Sequence, residues 1–429
     1  MFWMGFEKTS TVIGALFITI YTAKHLGPEK MGMFYFALAV VTIILPVSQL
    51  GSDTIIFNRV AKKRYSGVRL LIYSQILRTY VYIGLSILLL AVCIHYDYSN
   101  TEIVIIGLML VSSYFSSQDV YKIYFDATLN SKINTLSSQI GLVASSIVRV
   151  ALVMFNANLF MFTLPYILNT AIPFFIRKER FINVKKEVAI NSSSVDVNNE
   201  RAIYRSYLIK NGYPLVISGI SIALYTRVGQ IMLGNLEGTS MVGYYNAALT
   251  IAGGWSFVPI VCMTSLLPVV LKDRNSKNMG FSFIYLVALL VSVPLVLLCE
   301  TFDYEMIYYT YGEEFIPSVE VFSILAVSTL FSVLGVIASR VIIANYGNGY
   351  LMKKMCLMAV LNMLLTYFLI AKYGLVGAAY AILITEIISS TVANYFFKKG
   401  HILRIHLLIL SSFIYVQYLL NNTNKKECK

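Results

Sequence analysis

The chain has 429 residues, of which 58% are hydrophobic and only 13% charged, with a formal net charge of +13. Soluble domains carry about 25% charged residues, so this balance excludes an ordinary water-facing surface and points to a bilayer. Alternating strand patterns are absent and unbroken apolar runs abound, so the crossings are predicted to be helices of roughly 20 residues rather than barrel strands.

In chain order, the first set of predicted spans covers residues 6–23, 34–50, 70–94, 103–125, 133–153 and 155–176. The first run lacks a basic leader and a small-residue cleavage site, so it reads as a span rather than a secretory signal. Residues 177–211 follow, basic at first and then polar in "AINSSSVDVNNERA", and read as a linker. A second set covers 213–233, 244–271, 281–298, 319–344, 352–371 and 376–397. A last apolar stretch, 407–420, is short and interrupted by Gln417, so it either crosses as a thirteenth span or lies in the interface. The expectation is an all-α polytopic membrane protein with twelve spans in two six-helix lobes. Their bounds are 1–176 and 212–398, joined by the 177–211 linker and followed by a membrane-associated 399–429 segment.

Loop charges predict the orientation. Arg59, Lys62, Lys63, Arg64 and Arg69 share one side with the 177–210 cluster and with Lys272, Arg274, Lys277, Lys353, Lys354, Lys398 and Lys399. The opposite loops are mostly acidic, with Asp97, Glu102, Glu237, Glu300, Asp303, Glu305, Glu313 and Glu314. The positive-inside rule then assigns the amino terminus and the central linker to the cytoplasm. The cations are dispersed along membrane-flanking loops with no nucleic-acid module, so no nucleic-acid partner is expected.

The chain also echoes itself. Gly32 is followed by an aromatic at +2, Ala at +5 and Leu at +6 (Phe34, Ala37, Leu38), and Gly243 repeats those offsets in Tyr245, Ala248 and Leu249. Pro46 and Pro259 come next at similar depth. The copies are 211 residues apart, about half the chain, as in transporters built from parallel repeats, where substrate binds near the midplane between the lobes.

Ionisable residues inside spans are costly, and their default reading is functional. Arg149, Arg227 and Arg340 have no acidic neighbour three or four residues away, and they are the candidate cavity cations that would take an anion through a planar fork. Glu386 is the deepest carboxylate, a carrier of a coupling proton or a partner for one of those arginines. Asp119 and Lys122 are spaced to neutralise each other on one helical face, while Arg78 and Lys8 are read as snorkelling to the interface. No metal site is expected: the five cysteines share no ligand spacing, and His25, His95, His401 and His406 read as surface histidines.

These residues fall into recognisable stretches. "HLGPEKMGMFYFALAVVTIILPVSQLGSDTIIFNRVAKK" resembles the opening signature of bacterial polysaccharide flippases, the O-antigen and capsule repeat-unit exporters of the multidrug/oligosaccharidyl-lipid/polysaccharide superfamily. "TRVGQIMLGNLEGTSMVGYYNAALTIAGGWSFVPI", "YGEEFIPSVEVFSILAVSTLFSVLG" and "YGLVGAAYAILITEIISS" follow in the family's order. One departure stands out: where the family usually has a carboxylate after Arg-x, Gly229 follows Arg227 and Val228, which leaves Arg227 without its usual local partner. The resemblance implies a flippase, not an enzyme, in the bacterial inner membrane. It would move an undecaprenyl-pyrophosphate-linked oligosaccharide to the outer leaflet by alternating access around a cationic cavity. No cofactor is implied; a proton or sodium gradient would supply the energy, and a polysaccharide polymerase with its chain-length machinery would be the protein partner. The rival readings are a cation-coupled drug antiporter of the same superfamily and a membrane polysaccharide polymerase.

Overall fold

The computed structural model describes residues 2–190, 197–272 and 277–412, with side chains left out near several of these ends. Among the described residues there is no strand. In a hydrocarbon solvent each backbone donor must find its acceptor within the segment, and long apolar runs therefore fold as helices. Nine helices are long and apolar enough to cross a membrane among the described residues, or ten if the bent pair Thr239–Gly254 and Phe257–Leu271 is one span. Two of the nine are interrupted by a non-helical glycine, Gly27 in the first and Gly374 in the last. The expected twelve spans require each of those glycines to separate two crossings and the bent pair to be one more.

Contacts divide the chain into two compact units, Met1–Gly243 and Tyr244–Lys429. The first holds α1 (Phe2–Ser48), α2 (Ser52–Lys62), α3 (Arg64–His95), α4 (Asn100–Gln118), α5 (Val120–Ala127), α6 (Ser131–Met154), α7 (Leu164–Ile190), α8 (Val197–Glu237) and the start of α9 (Thr239–Gly254). The boundary differs from the expected 177–211 linker, and most of that stretch is helix: α7 runs on to Ile190 and α8 begins at Val197. Its Lys, Arg, Glu and Ala residues are good helix formers, so polarity marks where the chain leaves the apolar layer rather than where helix ends. Residues 191–196 lie outside the described ones.

α8 belongs with the first unit because it lies against the second part of α1 at a series of small residues. A Cβ on Gly219 would meet Pro46, one on Gly234 would meet Phe36, and one on Gly212 would stand 2.1 Å from the Leu50 carbonyl oxygen. At the end of this seam a Cβ on Gly32 would sit 1.8 Å from the Thr239 carbonyl oxygen, and one on Gly243 would sit 2.1 Å from that of Pro28. No side chain fits at either place. Pro28 and Thr239 are separated by the same 211 residues as Gly32 and Gly243. The contact is therefore reciprocal, Gly32 meeting the Thr239 carbonyl and Gly243 that of Pro28.

One core cluster of the first unit gathers Ile56 and Val60 of α2, Leu70 of α3, Tyr121 and Tyr124 of α5, Phe181 of α7 and Leu208 of α8. Phe181 packs between the rings of Tyr121 and Tyr124, with centroids at 5.2 and 5.0 Å. The start of α4 is fixed by a capping box in which the Ser99 side chain accepts from the Glu102 N–H and the Glu102 carboxylate accepts from the Ser99 N–H.

The second unit holds the rest of α9, α10 (Phe257–Lys272), α11 (Lys277–Thr301), α12 (Asp303–Tyr311), α13 (Val319–Ala344), α14 (Asn348–Ser390), α15 (Val392–Tyr395) and α16 (His401–Leu407). Phe281 and Tyr285 of α11, Ile337 and Val341 of α13, and Ile402 and Ile405 of α16 form its core. α16 is docked by the buried Ser282 hydroxyl, which donates to the Ile405 carbonyl at 2.7 Å. His401 and His406 are half-buried rather than exposed surface residues: each buries an Nε2 that has no hydrogen-bond partner among the described atoms. Burial lowers the pKa of His406. Burial, followed by the charges of Lys398, Arg404 and Lys277, lowers that of His401. Of the apolar stretch 407–420, the part beyond 412 lies outside the described residues.

Candidate functional site

Arginines inside the first unit's helices fall into two kinds. Arg78, in the middle of α3, is 1% exposed and does not snorkel. Its Nε donates to Ser52 Oγ at 2.9 Å, its Nη1 donates to the Ser117 carbonyl at 2.9 Å, and its Nη2 pairs with the Asp53 carboxylate. The local fold makes this geometry: Gly51, at φ 61°, turns the chain into α2, which sets Ser52 and Asp53 side by side on the first turn. Arg177 of α7 is 3% exposed and pairs with Asp119. It also donates to the Asn134 carbonyl at 3.0 Å and to Ser138 Oγ at 2.6 Å.

Asp119 occupies the break between α4 and α5, where its carboxylate also accepts from the Lys122 backbone N–H at 3.2 Å. The expected Asp119–Lys122 side-chain pair is thus replaced by a cap and an ion pair from another helix, and the Lys122 side chain is exposed. Asp119 was placed for the N–H groups of a new helix turn, a role that takes the carboxylate away from the i+3 side chain. Next to these pairs is a polar cavity of about 380 Å³ lined by Asp53, Asp119, Lys122, Ser138, Asn169 and Arg177. The Arg177 Nε and the Asn134 Oδ1 nearby are buried without a hydrogen-bond partner.

Arg149 and Arg227 are the second kind. Both are half-buried, and among the described residues neither meets a carboxylate. The Arg149 guanidinium lies 4.6 Å over the ring of Tyr166, which stacks on Phe34. The Arg227 Nη1 donates to Gln230 Oε1 at 3.1 Å. A ring face or an amide orients a guanidinium without cancelling its charge. Arg149 stands five residues before the end of α6 and Arg227 ten before the end of α8. Arg340, in the second unit, is exposed and only four residues before the end of α13, so it is shallower than the sequence led one to expect. Glu386 is buried on α14, its Oε2 beside Gly335 of α13. Sequence reasoning missed Arg177, which it took for a loop cation, and the burial of Arg78. The useful signal was Asp53 directly after Gly51 and Ser52, a carboxylate on a tight helix start facing a deep arginine. Among the described residues no group of His, Cys, Asp and Glu is arranged to hold a metal ion.

The described helices make a multi-pass membrane protein with the fold seen in solved transporters of the MOP superfamily. The chain resembles the lipid II flippase MurJ in an inward closed conformation, with a TM-score of 0.70 at 15% identity over 98% of this chain and 93% of that one. It also resembles an inward-facing multidrug resistance transporter of the MATE family, with a TM-score of 0.66 at 15% identity over 93% and 95% of the two chains. A third likeness is to a MOP superfamily transporter from Pyrococcus furiosus described as having a binding pocket of reversed polarity, with a TM-score of 0.60 at 12% identity over 95% of each chain. No curated protein matches the sequence. The family model described as polysaccharide biosynthesis protein matches residues 2–272, and the chain belongs to that family.

Proposed function

We propose that the protein is a flippase carrying an undecaprenyl-pyrophosphate-linked oligosaccharide repeat unit from the cytoplasmic to the outer leaflet of the bacterial inner membrane. The observation that carries this reading is the pair Arg149 and Arg227, two permanent cations in apolar helices whose partners are a ring and an amide rather than carboxylates. The diphosphate of such a lipid is the part least able to enter hydrocarbon, and guanidinium forks replace its lost water. The polyprenyl tail stays in the bilayer while the sugar and diphosphate pass between the two repeats, which alternate in the side they open to.

The amino terminus is cytoplasmic in this reading, on the strength of the loop charges. Arg340, close to its helix end, acts at entry rather than in the middle of the path. The polysaccharide family supports this reading over a drug antiporter, and so does the charge: an organic cation would be repelled by unneutralised arginines, and the first unit's Asp53 and Asp119 are already engaged. The test is to deplete the protein and assay which leaflet holds the lipid-linked oligosaccharide. Build-up on the inner leaflet is expected; single repeat units accumulating outside would assign the protein to polymerisation instead.

A further inference from the structure

The second unit carries a groove that no part of the transport reading uses. It is a cavity of about 360 Å³ between the first turns of α14 and the end of that helix with α15, walled by Leu357, Val392 and Phe396 and floored by Met358. Leu357 is 64% exposed, Val392 49% and Phe396 77%, so the apolar wall faces outward from the unit, where a membrane protein meets acyl chains.

One end of the groove is cationic. Lys353 and Lys354 line it, Lys353 exposed and Lys354 buried with its Nζ donating to Asn394 Oδ1 at 2.9 Å. Glu386 partly offsets the Lys354 charge, which leaves Lys353 as the lining cation open to a headgroup. Lys398 is outside this lining; its ammonium lies 5.7 Å from the Phe397 ring centroid, and that ring is 5.3 Å from Tyr350, a wall residue. Lys398 and Lys399 hold φ of 44° and 55°, a left-handed backbone that non-glycine residues seldom adopt. No acidic residue lines the groove.

An apolar trough tipped with lysines matches the two ends of an anionic lipid. We infer that this groove binds a resident anionic phospholipid of the cytoplasmic leaflet, its acyl chain along Leu357, Val392 and Phe396 and its phosphate on Lys353. The inference rests on the membrane orientation proposed above and on nothing else in the flippase reading. The outward-facing wall favours a lipid held from the bulk bilayer over the transported substrate.

The test is native mass spectrometry of the full-length protein, titrated with phosphatidylglycerol, with phosphatidylcholine of the same acyl chains, and with undecaprenyl phosphate. Phosphatidylglycerol is expected to bind about fivefold more tightly than phosphatidylcholine, the contribution of one lysine near the headgroup. Lys353→Ala should weaken phosphatidylglycerol about fivefold, Lys353→Arg should retain it, and Val392→Trp should weaken both phospholipids by filling the trough. Lys353 is exposed, so these changes leave folding intact, and unchanged melting checks it. Equal binding of the two phospholipids, or indifference to Lys353→Glu, overturns the inference. So does tighter binding of undecaprenyl phosphate that depends on Lys353. Loss of lipid selectivity with export intact strikes this inference alone, and loss of export with selectivity intact strikes the flippase reading alone.

Discussion

Arg78 and Arg177 differ from Arg149 and Arg227 in what they meet, although all four lie in helices of one unit. The first two are almost completely buried and each is matched to an aspartate, with hydroxyls and carbonyls taking further N–H groups, the Arg177 Nε excepted. The second two are half-buried and face a ring and an amide. A buried ion pair fixes a helix arrangement, because removing one partner strands a charge in a place water cannot reach. An arginine left with its charge uncancelled keeps that charge for something else. On the function proposed above, depth in a span does not separate structural from substrate-binding cations; the partner does.

That comparison breaks most visibly in transport. The double variant Arg149→Ala/Arg227→Ala is expected to reduce export of the lipid-linked oligosaccharide to background while membrane insertion and melting stay near those of the parent; surface polysaccharide and detergent-phase melting read the two halves of the claim. Normal export would dissolve the distinction. Lysine at position 227 sharpens it further, since it keeps the charge but loses the fork, and partial export is expected.

Asp119→Ala should do the opposite. It strands the Arg177 guanidinium and removes the cap of α5, for a loss of about 3 kcal/mol in stability, measured as a lowered melting temperature or expression level. Asp53→Asn is a smaller step. Arg78 is buried, but the Asp53 side chain is 45% exposed, so water screens the pair and about 1 kcal/mol is expected.

The smallest effect comes from a site apart from both groups. Burial depresses the His406 pKa, so the unfolded chain binds a proton more readily than the folded one. The stability this represents is present above the ordinary histidine value near 6.5 and is lost as pH falls through it toward the folded value. Melting should therefore drop modestly between pH 7.5 and about 5, and His406→Gln should flatten that slope.

Much of the helical layout was legible because hydrocarbon leaves an apolar run few choices, and periodicity or caps are hardly needed to see it. The 177–211 stretch was misread as linker because its polar residues report solvent, not backbone geometry. The Asp119 partner was misread for a related reason. Sequence spacing reveals neighbours on one helix, whereas Arg177 is 58 residues away and reaches Asp119 only after α7 packs on α5. Arg149 and Arg227 stood out because each lacked a local acid, and that absence persists in three dimensions among the described residues.

The meeting of Gly32 with Thr239 and of Gly243 with Pro28 puts the same demand on two places 211 residues apart. Each glycine lies against the carbonyl that answers its mate's in the internal echo, so a substitution barred at one is expected to be barred at the other.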